Sequence, residues 1–208
     1  MFAERIKPYR TALLFLTAMV VLVVGYTYRL DSRKSIPAEL EGVMRPDARA
    51  LESLALKDQN NQAFHREDFT GKWSFVFFGY TYCPDVCPLT LSNLARTFGE
   101  MGDAADQFQV LLITVDPARD TPLRLAEYLA NFNDGFLGLT GSEDEIRAVA
   151  NEFGAFFARA GEGEDYTVDH TARVFVLSPS GKIPLTFPVT ATSQEMIRDL
   201  ALLLEAAS

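Results

Sequence analysis

The chain has 208 residues, with 19 Lys/Arg, 28 Asp/Glu and a formal charge of −9. Six of the basic and two of the acidic side chains fall in residues 1–34, so residues 35–208 carry 13 basic against 26 acidic. A body this acidic argues against nucleic-acid binding, which needs clustered Lys/Arg to neutralise phosphates, and fits a basic protein partner or a plain solvated surface. The length allows one domain with an appendage.

Residues 11–28 (TALLFLTAMVVLVVGYTY) carry no charge. That is close to the roughly 20 residues a helix needs to cross a bilayer. Tyr26 and Tyr28 stand at one end, where aromatic rings favour the interface. A cleaved signal peptide is the rival reading, but the apolar run is long for one and the bulky Gly25-Tyr26-Thr27-Tyr28-Arg29 offers no small-x-small cleavage site. We read residues 1–10 as a cytoplasmic tail, 11–28 as an uncleaved transmembrane anchor, 29–49 as a polar tether and 50–208 as the folded domain. The N-terminal amino group tips an otherwise even flanking charge toward an inside N-terminus. The tail has no room for a transit peptide, so the expected location is a bacterial inner membrane with the domain in the periplasm.

Residues 54–64 have apolar flanks around Asp58-Gln59-Asn60-Asn61, the pattern of a hairpin turn. The apolar run 73–78 predicts a buried strand, and 89–101 a helix with Leu91, Leu94, Ala95 and Phe98 on one face. Residues 108–115 predict a second buried strand. Thr121 and Pro122 have the chemistry of an N-cap and first helical position, for a helix over 123–132. Residues 136–140 predict a short strand, and Ser142 with Glu145 a capping box opening a helix to Phe153. Residues 154–165 read as an irregular insertion, 171–177 and 182–187 as a hairpin, and Ser193 as the cap of a final helix to Leu204. Strand–helix alternation closed by an antiparallel pair is the layout of an α/β, thioredoxin-like sandwich.

The chemistry concentrates in Gly79-Tyr80-Thr81-Tyr82-Cys83-Pro84-Asp85-Val86-Cys87-Pro88, which holds the only two cysteines. With a helix begun by Cys83, the pair is spaced i, i+4, about 5–6 Å apart at Cβ. A helix N-terminus favours thiolates. Two close, exposed thiolates can form a disulfide, exchange disulfides with a partner, or hold a soft metal. As a staple closing five residues, a disulfide would remove little chain entropy. His65 lies beside a turn and reads as a surface histidine. His170 precedes the strand at 174 and can complete a ligand set with the cysteines. Two thiolates and an imidazole suit copper in either oxidation state, whereas zinc would want a fourth ligand or water. Asp169 is placed to orient the histidine. No phosphate-cradling loop, Ser-His-Asp arrangement or Gly-x-Gly-x-x-Gly run is present.

Three segments, residues 80–88, Val115-Asp116-Pro117-Ala118-Arg119-Asp120-Thr121-Pro122, and Tyr166-Thr167-Val168-Asp169-His170-Thr171, resemble the SCO/SenC proteins in order and separation. The resemblance covers roughly residues 45–205 and the anchor. It implies a membrane-anchored copper chaperone of thioredoxin fold, serving the dinuclear copper centre of cytochrome c oxidase. Cys83, Cys87 and His170 would then be the copper ligands, and the expected partners are the copper-bearing oxidase subunit, a copper donor and a thiol reductant. Asp116 and the loop after it match a family signature, whose simplest physical role is to cap a helix and fix a loop near the site. A thiol–disulfide oxidoreductase is the alternative, with Cys83 and Cys87 as its redox pair. Such enzymes use Cys-x-x-Cys and a cis-proline facing it, whereas residues 165–178 hold a histidine and no proline.

Overall fold

Seven residues with almost no polar side chain, Trp73–Gly79, form strand β4 at the centre of the domain. In the computed structural model, which describes residues 17–23, 42–44, 51, 54–69, 71–163 and 165–207, β4 lies between parallel β5 (Phe108–Thr114) and antiparallel β9 (Arg173–Leu177). The sheet is completed by β1 (Val43–Met44), β10 (Leu185–Pro188) and β6 (Leu137–Leu139), in the order β1-β10-β9-β4-β5-β6. Residues 74–79 of β4 are all buried, which is why this strand is continuously apolar instead of alternating. The one polar member, Ser74, accepts a hydrogen bond from Gln109 Nε2 at 2.8 Å.

Parallel neighbours require crossover connections, which helices supply. Helix α2 (Val86–Met101) joins β4 to β5, and α3 (Pro122–Leu129) joins β5 to β6. Helices α4 (Glu143–Phe153) and α5 (Ser193–Ala207) complete the layers. This topology gathers the carboxyl ends of β4 and β5 and the N-termini of α2 and α3 at one end, where open α/β sheets bind ligands. The layout is the thioredoxin-like sandwich expected from the strand–helix order.

Local chemistry sets the boundaries. Thr121 Oγ1 accepts from Arg124 N with Pro122 in the first turn, and Ser142 and Glu145 form the expected reciprocal box. β2 (Ala55–Lys57) and β3 (Ala63–His65) form the first hairpin, its turn tied by Asp58 Oδ1 accepting from Asn60 N and Gln62 N at 2.8 Å each.

Four expectations need correction. Helix α2 begins at Val86, so Cys83 lies before the helix and the pair is not an i, i+4 helical pair. Helix α3 ends at Leu129, where the Asn131 side chain takes up the carbonyls of Glu127 and Tyr128. The supposed insertion at 154–165 contains β7 (Phe157–Ala160), which pairs antiparallel with β8 (Thr167–His170) through the register Phe157 with His170. Gly161 and Gly163, at φ +94° and +78°, supply the turn that other residues resist. The box before α5 uses Thr192, not Ser193: Thr192 N and Oγ1 donate to Glu195 Oε2, and Glu195 N returns to Thr192 Oγ1. Ser193 Oγ donates to Glu100 instead.

Residues 39–201 make one compact unit, and residues 1–38 with 202–208 another. Of the expected anchor at 11–28, residues 17–23 are described, as an exposed helical stretch, α1. Among the described residues no helix is long and apolar enough to cross a membrane. The rest of the anchor, the tail at 1–10 and most of the tether at 29–49 lie outside the described residues.

Candidate functional site

Beyond Gly79 the chain turns, with Cys83 N donating to Tyr80 O at 3.3 Å, before α2 starts. Cys83 therefore sits in the turn and Cys87 in the first helical turn. Both are free thiols and both are buried, at 9% and 0% exposure, where the sequence suggested an exposed pair. Burial pushes the Cys87 thiol up strongly, and neighbouring Cys83 adds to this, while a backbone hydrogen bond from Tyr80 works the other way. The helix N-terminus thus does not prevail over desolvation, which disfavours the Cys87 thiolate. Cys87 reaches this depth because Gly79 has no side chain. A Cβ there would stand 3.0 Å from Cys87 Sγ and 2.7 Å from Phe77 Cε1.

His170 closes the site from the other side of the fold. At the end of β8, its Nε2 lies 3.6 Å from Cys87 Sγ, across 83 residues of sequence. Its Nδ1 lies 3.0 Å from the Val168 carbonyl. A carbonyl only accepts, so Nδ1 is the nitrogen that donates there, and Nε2 is the one turned toward the sulfur. The ring stands edge-on to Phe77 and Tyr80, with centroids 6.0 and 5.7 Å away. Tyr80 also fastens the strand, since its hydroxyl accepts from Val168 N at 3.2 Å. Asp169, proposed from sequence as the orienting group, is exposed on the ribbon, and the Val168 carbonyl fills that role. His65 is exposed in β3 and takes no part. Cys83, Cys87 and His170 are brought together at one end of the sheet, although among the described residues no three His, Cys, Asp or Glu side chains already enclose a metal-sized cage.

The segment from Asp116 to Pro122 buttresses the site. Asp120 is fully buried and accepts from Thr81 N at 3.1 Å, Thr81 Oγ1 at 2.7 Å and Thr114 Oγ1 at 2.6 Å. It fastens the start of the cysteine loop to the end of β5. Desolvation raises its carboxyl above the usual range, and the hydrogen bonds from Thr114 and Thr81 hold it back down. Asp116 accepts from the Tyr166 hydroxyl at 2.6 Å and pairs with Arg119, whose guanidinium lies over the Tyr166 ring at 3.6 Å and the Tyr82 ring at 4.7 Å. The sequence marked this loop but not its partners. Tyr80, Thr81 and Tyr166 lie within the motifs but carried no role there, and Thr114 had only its nearness to one.

A family model described as SCO1/SenC matches residues 43–205. A Stutzerimonas stutzeri protein named for copper binding is 40% identical over 153 residues, 73% of this chain and 75% of its own. An SCO2-like protein of Rickettsia felis is 30% identical over 187 residues, 87% of this chain and 91% of its own. Among solved structures, Bradyrhizobium japonicum ScoI with copper bound superposes with a TM-score of 0.68 at 34% identity, over 74% of this chain and 98% of that one. Yeast Sco1 with copper bound gives 0.69 at 29% identity, over 74% and 87%. The family match spans most of the chain and includes every residue of the site just described: this chain belongs to the SCO1/SenC family.

Proposed function

We propose that this chain is a membrane-anchored copper metallochaperone that holds copper with Cys83, Cys87 and His170 and passes it to the dinuclear copper centre of cytochrome c oxidase. The observation that carries the reading is the approach of His170 Nε2 to 3.6 Å from Cys87 Sγ, with Nδ1 held by the Val168 carbonyl so that Nε2 is the nitrogen facing the sulfur. The donors fit the metal. Thiolate sulfur suits reduced copper, imidazole nitrogen helps the oxidised ion, and three ligands leave a position for an incoming one. Burial disfavours a bare thiolate, so metal capture and loss of the thiol protons go together. Copper-bound relatives support copper as the cargo.

The remaining parts of the proposal rest on sequence. The uncharged run 11–28 would hold the domain at a bacterial inner membrane, facing the periplasm. There the pair needs a thiol reductant and a copper donor upstream, and the copper-bearing oxidase subunit downstream. Copper stoichiometry tests the core claim. His170→Ala should retain far less Cu(II) than wild type, and Cys83→Ser with Cys87→Ser should bind none. Equal binding by all three proteins would end the reading.

One observation keeps a second reading in play: the two thiols are free and neighbouring, as a disulfide-exchanging pair requires. Disulfide-reducing turnover that survives His170→Ala would favour a thiol–disulfide oxidoreductase acting on a copper-site protein.

A further inference from the structure

Most large apolar side chains of the site-bearing unit are inside. Among its described residues, five are exposed: Val43 on the sheet edge, and Tyr82, Leu89, Leu123 and Phe156. The last four all fall at the sulfur–imidazole end of the fold. Tyr82 precedes Cys83, and Leu89 follows Cys87 in the first turn of α2. Leu123 lies in the first turn of α3, directly after the Asp120 buttress, beside Arg124, whose guanidinium lies 5.3 Å from the Tyr82 ring. Phe156 is bound through its backbone to Thr171, the residue after His170. Their exposures run from 52 to 69%, while the donor cysteines they surround are buried. Four exposed apolar side chains around a recessed reactive group are what a docking surface needs: apolar contacts that a partner covers, leaving the chemistry at the centre shielded from water.

Charge selects the occupant. The exposed charges flanking these residues are mixed, Asp85 and Asp169 against Arg159 and Arg173 with Arg124 half-buried, so the selection comes from the body that carries them. Behind them stands a body with 26 acidic and 13 basic side chains. Two such bodies repel, which argues against a second copy of this chain. We propose that Leu89, Leu123, Phe156 and the Tyr82 ring form the docking surface for the metal-exchanging partner, a folded domain presenting an apolar face rimmed by Lys/Arg around its own soft metal ligands. The proposal rests on the carrier reading for the nature of the exchange, but docking itself is a separate measurable event.

The experiment uses the reduced, copper-free protein and, as probe, the soluble copper-free domain of the same organism's copper-bearing oxidase subunit. Binding is measured by calorimetry and amide chemical-shift perturbation, and copper transfer from the loaded protein is followed separately. Wild type should bind, with perturbed amides at 82, 89, 123 and 156, and the affinity should fall as salt is raised. A Leu89→Ser, Leu123→Ser, Phe156→Ser variant should keep its copper stoichiometry and bind the probe at least ten-fold more weakly. Val43→Ser, an exposed apolar change away from the site, should bind as wild type does. No binding by wild type, or equal binding by the triple variant, overturns the docking surface. Binding that depends on these side chains but moves no copper retains the surface and overturns the carrier reading.

Discussion

Tyr80→Phe isolates one atom of the site. The ring stays, and with it the edge-on contact to His170 at 5.7 Å. What is lost is the hydroxyl that accepts from Val168 N at 3.2 Å. Tyr80 is 2% exposed and Val168 5%, so water cannot readily replace the bond. A buried donor left without its acceptor costs about 1–3 kcal/mol. At a urea slope of about 2 kcal/mol per molar, that is a lowering of the unfolding midpoint by roughly 0.5–1.5 M. The loss should also be local. The Val168 amide should exchange with solvent much faster, because the freed N–H opens without unfolding the sheet. The same residue's carbonyl sets the proton on His170 Nδ1, so the imidazole nitrogen resonances should move from one tautomer toward a mixture. Urea denaturation, hydrogen exchange and imidazole 15N spectra read the three effects. An unchanged midpoint with unchanged Val168 exchange would refute the argument that the hydroxyl pins β8 to the cysteine loop.

Asp120→Ala removes the acceptor shared by Thr81 N, Thr81 Oγ1 and Thr114 Oγ1, and should lower stability in chemical denaturation by at least about 1–3 kcal/mol, the cost of a buried donor left unpaired. Gly79→Ala places a methyl 2.7 Å from Phe77 Cε1 and 3.0 Å from Cys87 Sγ, an overpacking expected to cost about 1–3 kcal/mol in thermal melts and to speed reaction of Cys87 with a thiol reagent by displacing it. Glu145 and Glu195 are both held below the usual carboxylate range, first by backbone hydrogen bonds from Ser142 and Thr192. Their contribution to stability is therefore present above the ordinary carboxylate pKa and lost as pH falls through the lowered values. A Glu145→Gln, Glu195→Gln variant should show a shallower loss of stability on acidification than wild type, measured as denaturation midpoint against pH.

What the sequence made legible follows from how local each feature is. The apolar run at 73–78 could only be a strand buried on both faces, and so it is. Thr121-Pro122 and Ser142-x-x-Glu145 are satisfied within four residues, so their caps were readable. The Thr192 cap was readable as well, since Thr192 has Glu195 three residues on while Ser193 has Met196. Strand β7 escaped because it is short, only Phe157 in it is buried, and two glycines follow. The motifs named Cys83, Cys87 and His170, but their depth did not follow from them. Whether a thiol at a helix start is exposed depends on what packs over it, here Gly79 beneath and a ribbon from residues 167–170 beside. Asp120 shows the same limit: a buried aspartate and a surface cap look alike until Thr81 and Thr114 are seen to point at it.

The nitrogen and the sulfurs are mounted on different pieces of backbone. The cysteines grow from the end of the central strand, while His170 rides a two-stranded ribbon that shares no ladder with the six-stranded sheet. Among the described residues, the position of the imidazole is therefore set separately from that of the sulfurs. The ties described between that ribbon and the frame are side-chain ones, the Tyr80 hydroxyl at Val168 N and the Tyr166 hydroxyl at Asp116, so the spacing of nitrogen and sulfur depends on two phenol groups and not on the ladder of the main sheet.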